Sequence, residues 1–270
     1  MPPNGTSFNA LNLPASFSLP ECMEYFTLRA GPNTDLWRKP PNGDISTAPI
    51  VYTSLRSPFV IAEVTVSADW EMEWDQGGLV IFAGAAPQSF SSETTTTTTA
   101  AEGCPGWRGR AARPCKWVKA GMEFCAGAVH ASSVSATADG ADWCLFPLGL
   151  PERGPGAVHS LRVKLERIGH SLWIWYQVPS SVSPYGRTPA AVTESWKKLR
   201  EVTWFFYGVE DKFVHVGVYA SRPNTIMRGD SLWELMHGMG GSGGGGGGGD
   251  DEADGDGDGL VVEFEDLEIF

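Results

Sequence analysis

The chain has 270 residues, 42% of them hydrophobic, and its eleven Trp, thirteen Phe and six Tyr supply ample large apolar surface for a core, which excludes disorder along its whole length. The formal net charge is −12, and six of the acids fall within Asp250–Asp258 alone, so the remainder is only mildly acidic; no basic patch is left for phosphate, and nucleic acid is not an expected partner. No run approaches the length of a membrane-spanning helix, so no membrane is expected either.

In chain order, Met1-Pro2-Pro3-Asn4-Gly5-Thr6 has neither a cationic nor a continuous apolar region, which predicts no secretory leader, and its Asn4 sequon would matter only on a secreted chain. The five cysteines, Cys22, Cys104, Cys115, Cys125 and Cys144, are odd in number and widely spaced. That pattern points to reduced thiols and a cytoplasmic location. Cys104 and Cys115 bracket an insertion, and a bond between them would need oxidising conditions that this location disfavours.

Strand signals begin at Phe59–Asp69, where Val60, Ala62, Val64 and Val66 alternate with Glu63, Thr65, Ser67 and Asp69. Gly78–Phe82 is a short apolar run, and Trp117–Phe124, Val129–Ala136, Asp142–Phe146, Leu161–Arg167, Leu172–Val178, Thr203–Tyr207, Val214–Ala220 and Leu260–Ile269 follow. Gly77-Gly78, Ala126-Gly127, Asp139-Gly140 and Gly169-His170 supply the turns. With almost no helical periodicity, the chain is predicted to be all-β: a two-sheet antiparallel jelly-roll sandwich forming one domain over 1–270. Three low-complexity stretches, 84–114 with its threonine run Thr94–Thr99, 179–194 and 238–259, read as flexible surface insertions.

In Trp117–Phe124 the side chains of Val118, Ala120, Met122 and Phe124 face one way and those of Trp117, Lys119, Gly121 and Glu123 the other. The first set belongs to the core. An aromatic beside a Lys and a Glu makes the second set a candidate platform for a sugar or anion, against the alternative of a same-strand ion pair shielded by Trp packing. His215, Gly217 and Tyr219 alternate with Val214, Val216 and Val218 and are expected on the same sheet face, with His215 more simply read as a hydrogen-bonded structural residue.

The segments Asp35-Leu36-Trp37-Arg38-Lys39, Trp74-Asp75-Gln76-Gly77-Gly78-Leu79 and Trp117-Val118-Lys119-Ala120-Gly121-Met122-Glu123 together resemble a family of unknown-function domains named for fungal regulators of enolase. Leu161–Lys164, Gly217–Ser221 and Val262–Asp266 agree with it. The resemblance implies a concanavalin A-like lectin/glucanase sandwich, no enzymatic activity, and enolase as a possible protein partner. It also implies that Asp75 pairs with Lys119 or with backbone donors, and it adds Asp75 and Gln76 to the candidate binding set of Trp117, Lys119, Glu123, His215 and Tyr219.

Other motifs read more plainly. Glucanases on this fold carry alternating acids on one strand, but Glu71 and Glu73 precede Gly77-Gly78 and are expected to decorate a hairpin. The histidines at 130, 159, 170, 215 and 237 show no ligand spacing, and no metal or cofactor is expected. Asp254, Asp256, Asp258, Gly259 and Glu265 match a calcium-loop spacing, yet polyglycine precedes them and an alternating strand follows, so a solvated acidic loop is expected. The resulting expectation is a non-catalytic binding or regulatory module, with carbohydrate binding on the concave sheet as the alternative and glycoside hydrolysis behind it.

Overall fold

The computed structural model describes residues 8–40, 43–88, 116–148, 158–179, 195–224 and 259–270. The Cys104–Cys115 pair, the threonine run and the acidic run 254–258 lie outside the described residues. Among the described residues fifteen strands follow one another: β1 Phe8–Leu11, β2 Tyr25–Ala30, β3 Leu36–Lys39, β4 Gly43–Ser46, β5 Ile50–Ser54, β6 Ile61–Ala68, β7 Gln76–Ala83, β8 Lys116–Cys125, β9 Ala128–Thr137, β10 Gly140–Pro147, β11 Ser160–Ile168, β12 Ser171–Gln177, β13 Lys197–Val202, β14 Val214–Ser221 and β15 Leu260–Ile269. No α-helix occurs among the described residues; a 3₁₀ turn at Asp211–Phe213 leads into β14.

The strands form two antiparallel sheets, a seven-stranded one in the order β1-β5-β14-β7-β8-β9-β10 and a six-stranded one in the order β13-β12-β11-β6-β15-β2, while β3 and β4 form a separate hairpin. The two-sheet sandwich is as the alternation predicts. Val118, Met122, Val214, Val216 and Val218 are buried in the main core with Leu79 and Ile81, against Val64, Val66, Leu161, Val163, Leu165, Val262 and Phe264 of the opposite sheet. Strand β6 keeps the pattern of a sheet with one dry face, its even positions buried and its odd ones half-exposed.

Strands β7 and β14 differ, because every residue in them is buried. The reason is a second apolar cluster on the other side of the seven-stranded sheet, in which Leu36, Ala48, Ile50, Val80, Phe82, Trp117, Val134, Ala136 and Tyr219 pack together with Trp37. The β3–β4 hairpin closes over half of what alternation alone presents as an open face. Arg38 pins it there: its Nε and Nη2 donate to Asp44 at 2.5 and 2.6 Å, its Nη1 donates to the Thr137 carbonyl at 2.8 Å, and its guanidinium lies 5.9 Å from the Trp117 ring centre.

Two local expectations change. Residues 203–207, predicted as a strand, form successive turns, and both Phe205 and Phe206 enter the core from them; the true edge strand, β13, is the more polar Lys197–Val202. Residues 69–75 join β6 to β7 across the two sheets, so Glu71 and Glu73 sit in an inter-sheet connection and not in a hairpin. The Glu73 carboxylate accepts the Ala126 N–H at 2.9 and 3.1 Å and thereby secures the β8–β9 turn.

Candidate functional site

Beyond the edge of the hairpin the same sheet face stays open, and a pocket of about 330 Å³ is lined there by Asp35, Trp37, Trp74, Gln76, Glu123, Val134, Trp143 and Pro223. Gln76 on β7 stands directly opposite Glu123 on β8 in the ladder, so the two side chains are neighbours on the floor. Trp143 reaches in from β10, where it faces Val134 of β9. Trp74 comes from the inter-sheet connection and holds a left-handed backbone at φ 69°, a costly conformation for so bulky a side chain. Trp74 and Trp143 are each 43% exposed.

Each wall is anchored by a buried polar group. Asp75 is fully buried, and its carboxylate receives Arg222 through Nε and Nη2, both at 2.8 Å. It also accepts the Met72 N–H at 3.0 Å and, more weakly, the Glu71 N–H at 3.3 Å. That ion pair fixes the residues beside Trp74 and Gln76 on one side and Pro223 on the other. The segment delivering Asp35 and Trp37 is tied to the end of β14 by the Arg222 N–H on Thr34 Oγ1 at 3.0 Å and by Ser221 Oγ on the Thr34 carbonyl at 2.8 Å. Asp35 Oδ1 accepts from its own strand through the Leu36 N–H at 2.7 Å and from Lys119 Nζ at 3.1 Å.

Glu123 is 1% exposed, and its Oε2 accepts Ser132 Oγ at 2.5 Å and Trp143 Nε1 at 3.0 Å. Burial pushes its carboxyl above the ordinary value of 4.5, and those two donors together with the Lys119 charge offset only part of the rise. Beside it, Gln76 is 6% exposed and its Oε1 is buried without a hydrogen-bond partner among the described residues. Buried acceptors are nearly always satisfied, so an orphan acceptor at the floor of a pocket is free to take a donor from water or a ligand.

Of the residues singled out from the sequence, Gln76 and Glu123 thus meet in the pocket. Trp117 is 1% exposed beneath the hairpin and has no free face for stacking, which corrects its expected role. Lys119 and Tyr219 are buried together, with the ammonium 5.5 Å from the Tyr219 ring centre, and burial holds the Tyr219 hydroxyl well above its ordinary range. Asp75 takes backbone donors as expected, but its cation is Arg222; Lys119 pairs with Asp35 instead. His215 lies at the opposite end of β14 from Ser221, about 20 Å away at strand spacing. There its Nδ1 meets Ser54 Oγ at 2.8 Å and its Nε2 meets the Gly84 carbonyl at 3.3 Å, while burial lowers its pKa and favours the neutral ring. His215 is therefore a structural residue remote from the pocket.

Asp35, Trp37, Trp74 and Trp143 fall outside the candidate set read from the sequence. Trp37 and Trp74 sit within the motifs quoted above, but only the hairpin and the inter-sheet connection bring them to the floor pair. A second tryptophan group lies on the outer face of the six-stranded sheet, where Lys198 lies 4.6 Å from the Trp173 ring centre and Lys164 lies 5.3 and 4.5 Å from those of Trp175 and Trp196. Those rings are already capped by cations of the chain. Two larger hollows, of about 530 and 520 Å³, border the same sheet and share Ser67 and His159, and both adjoin segments outside the described residues.

Comparison with known proteins agrees with this architecture. A protein of Emericella nidulans described as uncharacterized protein AN7484 is 35% identical over 201 residues, covering 74% of this chain and 78% of its own. A functionally unknown protein from Saccharomyces cerevisiae superposes with a TM-score of 0.55 at 18% identity, covering 99% of this chain and 98% of that one. A mutant of the GH43 protein BlXynB from Bacillus licheniformis and the xylan beta-1,4-xylosidase from Bacillus halodurans share the fold, each with a TM-score of 0.51 at 12% identity; this chain spans 38% and 37% of their lengths. The profile of the family described as "Protein of unknown function (DUF1349)" matches residues 11–269, and the chain belongs to that family.

Proposed function

We propose that this protein is a non-catalytic carbohydrate-binding module whose ligand site is the pocket between Trp37, Trp74 and Trp143. The observation that carries the reading is the orphan Gln76 Oε1 on the floor of an indole-walled pocket, next to the Glu123 carboxylate. Sugar rings combine apolar C–H faces, which stack on indoles, with hydroxyls that donate to buried acceptors, and this pocket offers both. The carboxylates serve binding and support: Asp35 is held by Lys119 and the Leu36 N–H, and Glu123 by Ser132 and Trp143. Such a module would operate in the cytoplasm, where Cys22, Cys125 and Cys144 remain thiols.

A glycan array followed by calorimetry tests this reading. The parent should bind at least one glycan class, and Trp74→Ala and Trp143→Ala should each weaken it by about ten-fold, with the Trp74 variant keeping an unfolding midpoint near that of the parent. Enolase, which the family resemblance brings in as a partner, belongs in the same screen as a protein ligand. Binding of enolase with no glycan bound would replace the carbohydrate reading with a protein-docking one, and release of reducing sugar that Glu123→Gln abolishes would show an enzyme.

A further inference from the structure

We propose that the sugar this pocket accepts carries an ammonium group, so that its ligand class is an amino sugar such as a β-linked glucosamine oligomer. The inference rests on the carbohydrate-binding reading above and narrows it. The polar groups lining the pocket are Asp35, Gln76 and Glu123, with no Lys or Arg among the lining residues. Lys119, whose charge already acts on Glu123, makes its own ion pair with Asp35. Glu123 is bonded only to the neutral donors Ser132 and Trp143, and no cation pairs with it among the described residues.

A buried carboxylate with no ion pair of its own is expensive, and one way to relieve it is a cation brought in by a ligand. Burial raises the Glu123 pKa in keeping with that deficit. Gln76 Oε1 stands opposite Glu123 and lacks a donor, so the floor presents two acceptors side by side. An ammonium group has three donors and a positive charge and can serve both at once; a hydroxyl can serve Gln76 but gives the Glu123 charge no ion-pair partner. The indole walls favour the same choice, because ring faces attract cations, most strongly where water is excluded. A simple ammonium ion would leave most of the roughly 330 Å³ and its apolar walls unfilled, whereas a pyranose ring occupies them.

Calorimetry with three tetrasaccharides decides the matter: the glucosamine tetramer, its fully N-acetylated counterpart and cellotetraose, at a pH above the raised range of the Glu123 carboxyl and below that of the free amine, so that both groups are charged. The parent should bind the glucosamine tetramer roughly ten-fold or more tighter than either neutral compound, and added salt should shrink the gap. Glu123→Gln should abolish the preference, bringing the affinities for the three compounds to within about two-fold of one another. Equal affinity for all three compounds, lost together in Trp74→Ala, would overturn the amino-sugar inference and leave the carbohydrate reading standing. Failure to bind any oligosaccharide would overturn both. The comparison among ligands uses the parent protein, so it holds even if the Glu123 variant folds poorly.

Discussion

Replacing Arg222 by Ala removes the cation that pairs with Asp75, a carboxylate with no solvent exposure. Two charge-assisted bonds of 2.8 Å are lost at once. The Met72 and Glu71 N–H groups remain, but at 3.0 and 3.3 Å they do not neutralise the charge. Breaking a buried pair from one side costs about 3–5 kcal/mol, because the remaining ion stays desolvated. That is a large share of the roughly 5–15 kcal/mol by which a native protein is stable. In urea the midpoint should fall steeply with little change in slope, and the double variant Asp75→Asn/Arg222→Met should recover a substantial part of the loss, since it leaves no unpaired charge. The pair also holds the neighbours of Trp74, Gln76 and Pro223 in place, so ligand affinity should fall further than the loss of folded protein accounts for. A cost below about 1 kcal/mol for Arg222→Ala, or a double variant no better than the single one, would refute the view that this ion pair is the buried clamp of the pocket.

Other outcomes follow from the same geometry. A Cβ added at Gly121 would lie 1.9 Å from the Gly77 carbonyl oxygen and 2.7 Å from the Gly78 Cα, so Gly121→Ala should destabilise the protein by roughly 2 kcal/mol or more in urea titration, with β7 and β8 forced apart. Met122→Asp places an unpaired charge between the sheets and should cost several kcal/mol by the same assay. Because the folded state raises the Glu123 pKa, it binds the proton more tightly than the unfolded chain does, and stability from this group is lost as pH rises from about 4.5 through the folded pKa. Glu123→Gln should therefore gain stability relative to the parent across that rise, and an unchanged difference from acid to neutral pH would contradict the assignment. Arg38→Met should loosen the β3–β4 hairpin and red-shift tryptophan emission as Trp117 meets water; an unchanged spectrum would show that Leu36 and its apolar neighbours hold the hairpin alone.

Local alternation carried most of the fold. The period-two patterns of β6, β11, β12 and β15 separate core from outer face as the structure does, and those of β8 and β14 pick out the side chains that enter the main core, since each reflects contact with the opposite sheet. Residues 203–207 misled because consecutive buried aromatics in a turn mimic a strand, and β13 stayed hidden because it is a polar edge. The covered half of the seven-stranded sheet was legible in part: the unbroken apolar run Leu79-Val80-Ile81-Phe82 requires burial on both sides, which argues against an open face over Trp117. The site was less legible. Gln76 and Glu123 follow from strand position, but Asp35, Trp37 and Trp74 reach the floor through a hairpin and an inter-sheet connection, and Trp143 across β9. No local periodicity encodes such long-range placement.

The central claim, that the indole-walled pocket is the working site, is tested most directly by following the indole N–H resonances of the ¹⁵N-labelled protein during titration with the best glycan from the array. The account predicts saturable shifts for Trp37, Trp74 and Trp143, whose Nε1 donates to Glu123, while the signals of Trp173, Trp175 and Trp196 on the far sheet stay in place. Shifts confined to those far tryptophans, or binding that leaves the pocket indoles unmoved, would contradict it.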